Sequence, residues 1–199
     1  MRRTEKQRSA RVVRWILLGA ALLVIGLATF ASQRTPTVPR RDPVGTKLPP
    51  VSGQTLDGTT VRLPADVAGG PAVLLLGFVQ RSQFDIDRWL LGLTQARTPV
   101  RVLELPAIRG VVPSLFRDSI DSGMRSGIPS EDWESVVTLW RDDAAALIDL
   151  TGNETPSNAR VLLLDGAGRI VWFADRGYSA RQMVELDELA RALRDVTGT

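Results

Sequence analysis

Residues 72–105 read AVLLLGFVQRSQFDIDRWLLGLTQARTPVRVLEL, and their order decides the fold. Ala72–Val79 is a short continuous apolar run entered from Gly69-Gly70-Pro71, the pattern of a strand buried on both faces. Ser82 stands as the N-cap of a helix. Ile86, Trp89, Leu90 and Leu93 recur at helical spacing and predict that helix over 83–96, with one buried face. Val100–Leu105 is a second buried strand. Strand, helix, strand is a βαβ unit, which implies parallel pairing.

Outward from this unit the elements continue. Val51–Leu63 carries Asp57-Gly58, a two-residue hairpin signal. Ser114–Arg125 reads as a helix ending near Gly127, and Val136–Trp140 as a short strand. Asp142–Leu150 reads as a helix. Ala159–Leu164 and Ile170–Phe173 read as strands joined through Asp165-Gly166-Ala167-Gly168. Ser179 begins a last helix whose Met183, Leu186, Leu189, Ala190 and Leu193 line one face.

Before this domain lies a segment of different character. Residues 1–41 hold nine Lys/Arg and one acid, whereas residues 42–199 hold sixteen Lys/Arg against twenty-one Asp/Glu. The sequence pI of about 10.1 therefore belongs to the N-terminus. A net-acidic domain lacks the cationic excess of a nucleic-acid binder, and none is expected as a partner. Trp15–Ala31 contains no charged residue; as a helix it would span about 26 Å at 1.5 Å per residue. With Val12, Val13 and the snorkelling stem of Arg14 it reaches the hydrocarbon thickness of a bilayer. Six basic residues precede the span and three follow it, which favours a cytoplasmic N-terminus and an extracytoplasmic domain. A cleaved signal peptide competes with this reading, but the apolar core is long and Thr29-Phe30-Ala31 matches a cleavage site poorly. The expected organisation is a basic N-terminus at 1–14, a transmembrane signal-anchor at 15–31, a Pro/Arg-rich stalk at 32–46, and a folded domain at 47–199.

The chain has no cysteine and no histidine. Disulfides, thiolate nucleophiles and Cys-ligated metals are excluded, and the usual neutral-pH base is missing. Asp142, Asp143 and Asp165 read as helix-start and turn carboxylates, since no further ligands cluster near them. Gly69-Gly70-Pro71 lacks the lysine of a phosphate loop. Neither a metal nor a cofactor is expected. Trp133, Trp140 and Trp172 read as core residues rather than exposed binding aromatics.

Gly77-Phe78-Val79 closes the first buried strand directly before a helix, and Thr155-Pro156 precedes VLLLDGAGRIVWF (161–173). This arrangement resembles the redoxin branch of the thioredoxin-like superfamily. The resemblance covers about 145 residues. It implies a three-layer α/β/α domain with a central mixed sheet. In that family a Cys-x-x-Cys opens the helix and a cis-proline faces it. Here Gln83 and Ile86 fall at the cysteine positions, and Pro156 at the proline. A narrower similarity involves IDSGMRSGIP (120–129) and WFADRGYS (172–179), with Gln80 or Gln83 and Trp89. These segments resemble the mitochondrial ATP synthase assembly factors of thioredoxin-like type, which chaperone a membrane subunit.

Function then has to be argued from the site rather than the fold. Gln83 and Asp85 are expected to face a peptide-binding groove opposite a cis Pro156, against the plainer reading of first-turn capping. Gln80, Met124 and Arg125 are further candidate contacts. The expected protein is not an enzyme. It is a membrane-anchored, redox-inactive domain that binds or chaperones a membrane or envelope protein during assembly, the anchor raising its effective concentration there. The alternatives are a redoxin or thioredoxin-type oxidoreductase, which the missing thiols disfavour, and a structural subunit of an envelope complex.

Overall fold

The computed structural model describes residues 37–110 and 114–197. The basic N-terminus, the span read at 15–31 and the beginning of the stalk lie outside the described residues. Among those described, no helix is long and apolar enough to cross a membrane.

The domain is a seven-stranded mixed sheet between helices. β1 (Val51–Thr55) and β2 (Thr60–Leu63) form the leading hairpin. Its turn places Gly58 at φ +96°, a conformation that glycine adopts without strain. β3 (Ala72–Gly77) enters α1 (Gln83–Ala96), and β4 (Arg101–Ile108) returns parallel to β3 with Ala72 opposite Arg101. α2 (Ser114–Gly127), β5 (Val137–Trp140) and α3 (Arg141–Thr151) come next. β6 (Arg160–Leu164), β7 (Ile170–Ala174) and α4 (Ala180–Thr197) complete the chain. The spatial order is β2-β1-β5-β4-β3-β6-β7. β3, β4 and β5 run parallel, and the remaining pairs are antiparallel.

Successive side chains of β3 supply both cores, as a strand's period of two requires. Val73 and Leu75 pack with Ile86, Trp89 and Leu93 of α1 and with Met183, Leu186 and Ala190 of α4. Leu74 and Leu76 pack on the other face with Leu103, Leu105, and Ala144 and Leu147 of α3. Trp89 is buried and meets Trp172 and Tyr178 edge-on, at centroid distances of 5.9 and 5.3 Å. Trp133, Trp140 and Trp172 are half-buried, between the two readings of the sequence.

Two expectations are corrected. Ser82 does not cap α1 with its side chain. A 3-10 turn at Gln80–Ser82 runs straight into the helix, and the Ser82 hydroxyl donates back to Val79 O at 2.6 Å. The boundary at Lys47 also moves, because the compact unit begins at Thr37. Residues 37–46 lie along the domain as a strap instead of leaving it as a free stalk. Val38 N donates to Asn153 Oδ1 at 2.6 Å, and Asn153 N returns a bond to Val38 O at 2.9 Å. Gly45 N and Thr46 O bond the backbone of Ile170. Arg40 pairs with the buried Asp175 at 2.7 Å and stacks on Phe173. Gly152 is required where the strap crosses, since a Cβ there would collide with Pro39 O.

Candidate functional site

The first turn of α1 presents side chains in two directions, and the candidate residues divide between them. Asp85 points toward the β6 side and is buried. Its Oδ2 accepts Ala159 N–H at 2.9 Å and its Oδ1 accepts Tyr178 N–H at 2.7 Å. It ties α1 to the chain before β6 and to the loop before α4, a structural task. Gln83 points toward β4. Its Nε2 donates to Asp87 Oδ1 at 3.0 Å and to Glu104 Oε2 at 3.4 Å. Ile86, which the redoxin resemblance sets at a cysteine position, is 1% exposed and belongs to the core.

Gln83 lines a groove of about 1200 Å³. Its walls come from the end of β3, one side of α1, β4, and the segment from α2 to Pro129, with Leu90, Val102, Met124 and Ile128 among the apolar residues. Gly77 stands at its head, where a Cβ would come within 2.7 Å of Ser82 Oγ and force that side chain to move. The structure thus brings Gln80, Gln83 and Met124 together on one groove. Asp85, Arg125 and Pro156 are not among its lining residues. Arg125 instead donates Nε–H to Leu56 O at 2.6 Å and lies over the Trp133 ring, fastening the end of α2 to the β1–β2 turn.

Pro156 corrects the expectation most sharply. Thr155–Pro156 is trans, and the cis peptide among the described residues is Leu63–Pro64. Asn158 N–H closes a turn onto Thr155 O at 3.1 Å, putting Pro156 at the second position, where the φ of proline suits a trans turn. The stretch is held from inside by Arg160, which is 1% exposed. Its Nε donates to Gly152 O at 3.1 Å, and its Nη1 to Thr155 O and Asn158 O at 2.9 and 3.0 Å. Burial pushes the Arg160 pKa down, and the nearby Asp175 carboxylate works against this. The place opposite the start of α1 therefore belongs to Asn158 and Ala159, not to a cis-proline. Asp143 and Asp165 accept backbone N–H groups, from Ser52 and from Ala167 and Arg169 respectively.

Glu104 is the site residue that the sequence reading missed. It is 7% exposed, between the buried Leu103 and Leu105 on β4. Burial raises its pKa above the ordinary 4.5, the hydrogen bond from Gln83 opposes this, and the charge of Asp87 adds to it. The signal was a single carboxylate inside the apolar strand VRVLEL. Phe84 was also missed: it is 73% exposed at the start of α1, in a core-rich segment where an outward phenylalanine stands out.

No family profile and no curated protein matches the chain. Solved structures do match it in fold. BsSco, a member of the Sco family of cytochrome c oxidase assembly proteins, superposes with a TM-score of 0.54 at 9% identity, over 78% of this chain and 98% of that one. Yeast Sco1 with copper bound gives 0.50 at 14%, over 76% and 95%. The exposed lipoprotein thioredoxin Etrx1 of Streptococcus pneumoniae gives 0.50 at 14%, over 71% and 99%. The domain has a thioredoxin-like fold. Copper does not fit the residues present, because a soft metal site draws on thiolate, imidazole or clustered thioether donors. There is no Cys or His. Met183 is buried in the α1–α4 core, Met124 lines the groove, and Met1 lies outside the described residues. Among the described residues, no group of three or more His, Cys, Asp or Glu could hold a metal.

Proposed function

We propose that this chain is a redox-inactive thioredoxin-like binding protein, tethered by the helix read at 15–31. Its domain lies outside the cytoplasmic membrane and holds or chaperones a membrane or envelope partner during assembly. The partner surface is the groove beside α1. One observation carries the reading: Gln83, the residue that the resemblance sets at the first cysteine position, lines a groove with apolar and acidic walls and donates to Glu104 there. Peptide binding there needs shape and a few polar groups, and no electron transfer. Met124 on the same groove supports the narrower form of the proposal, assembly of an ATP-synthase membrane subunit, since IDSGMRSGIP is one of the two segments that resemble that family.

The test is in-cell photo-crosslinking from position 83, with position 149 on exposed α3 surface as the control. Capture of one membrane protein from 83 and not from 149 is expected. Capture from 149 alone would overturn the groove as the partner surface. Co-purification in fixed stoichiometry would favour a structural subunit over a transient chaperone. Disulfide reduction by the purified protein is expected at background, because no thiol is present.

A further inference from the structure

The groove has an unbalanced charge. Of its ionisable lining residues, Asp87, Glu104 and Asp132 are acidic and Arg97 is basic. Glu104 is more than nine-tenths buried. Its hydrogen bond is the long one from Gln83 to Oε2, and no Lys or Arg among the described residues pairs with it. A carboxylate removed from water without a cation is the costly half of an ion pair. Its backbone is held within β4 opposite Leu75 of β3, so the carboxylate stays at the groove wall. Apolar residues share the wall, among them Met124, whose unbranched thioether adapts to differently shaped neighbours.

We propose that the groove takes a segment of a partner protein carrying a Lys or Arg between apolar residues. The cation enters beside Glu104 and Asp87, and its apolar neighbours pack on Leu90, Met124 and Ile128. This rests on the groove being the partner surface and names the chemistry of its occupant. Charge complementarity selects the segment: a cation completes the buried pair, a neutral segment leaves Glu104 uncompensated, and an acidic one is repelled. Burial raises the Glu104 pKa in the chain alone, and an entering cation acts against that shift by favouring the ionised form.

The experiment is selection of a random dodecapeptide library on the full chain in nanodiscs, in parallel with E104Q and Gly123→Trp. Gly123 lines the groove and a Cβ there meets nothing within 4 Å, so a side chain is accommodated, and a Trp at this lining position is expected to narrow the groove. The native chain is expected to select apolar peptides with Lys or Arg enriched about tenfold at one position. E104Q, an isosteric change, should keep the apolar flanks and lose the cation. Apolar convergence without a cation, abolished by Gly123→Trp, overturns the charge inference and leaves the groove reading standing. A cation retained in the E104Q selection overturns the role of Glu104. No convergence, or convergence that Gly123→Trp leaves untouched, overturns both.

Discussion

Asp85→Ala separates a structural carboxylate from a binding one. Asp85 is 7% exposed and accepts two backbone N–H groups, from Ala159 and Tyr178. Hydrogen bonds to a charged group contribute about 1.5–3 kcal/mol each, and Ala159 is itself 1% exposed, so its orphaned donor cannot turn to water. Loss of both bonds is therefore expected to cost about 3–5 kcal/mol. Asp85→Asn keeps one acceptor oxygen and sets an NH₂ against an N–H, so about half of that loss is expected. Urea unfolding followed by tryptophan fluorescence reads both variants in the full chain, provided the m-value is unchanged. Hydrogen exchange at Ala159 and Tyr178 localises the effect. A loss under about 1 kcal/mol for Asp85→Ala, with Ala159 still protected, would refute the assignment. So would native stability combined with lost partner capture, which would return Asp85 to the binding site.

Glu104→Gln tests the buried groove carboxylate through pH. The folded pKa is raised above 4.5, so below that value both states are protonated and there is no penalty. As pH rises above it, the unfolded state ionises first and the native chain loses stability relative to E104Q. Urea midpoints should therefore diverge in favour of E104Q from pH 4 toward pH 8, and parallel profiles would contradict the buried environment. Arg40→Ala should cost about 1–2 kcal/mol: it removes the ion-pair partner of the buried Asp175, while nearby Arg160 still offsets part of that charge and solvent already screens the pair. Faster proteolysis within 37–46 is the accompanying sign of a released strap. Arg160→Met strips the donors from three carbonyls and should lower stability by about 3 kcal/mol, with exchange rising first at Asn158 and Ala159.

The sheet and its helices were legible because their signals are local. The continuous apolar run of β3, the 3.6-residue stripe of α1 and the turn residues at Asp57-Gly58 each need only neighbouring residues. The site was legible only in part, because it depends on contacts far apart in the chain. Gln83 was found through its position in the βαβ unit, but its direction is set by Glu104, twenty-one residues on. Pro156 was assigned by resemblance alone, whereas its isomer is set by the turn that Asn158 closes and Arg160 braces. The strap was misjudged because five prolines in 32–50 describe local stiffness and carry no information about docking. Asn153 and Asp175, which receive it, lie more than 110 residues away.

The electrostatics of the α1 start go beyond the absence of cysteine. A reactive thiolate at a helix N-terminus is favoured by free N–H groups, the helix dipole and nearby cations. Position 83 instead lies within hydrogen-bonding reach of Asp87 and Glu104, and Asp85 occupies the same first turn. A thiol placed there would face carboxylates, which oppose its ionisation. Placed at position 86, it would lie in the Trp89 core, where burial opposes ionisation again. The neighbourhood thus has the sign that welcomes a cation and disfavours a thiolate. A buried, cation-free Glu104 costs stability wherever it is ionised, and a cation entering beside it, as proposed, offsets that cost.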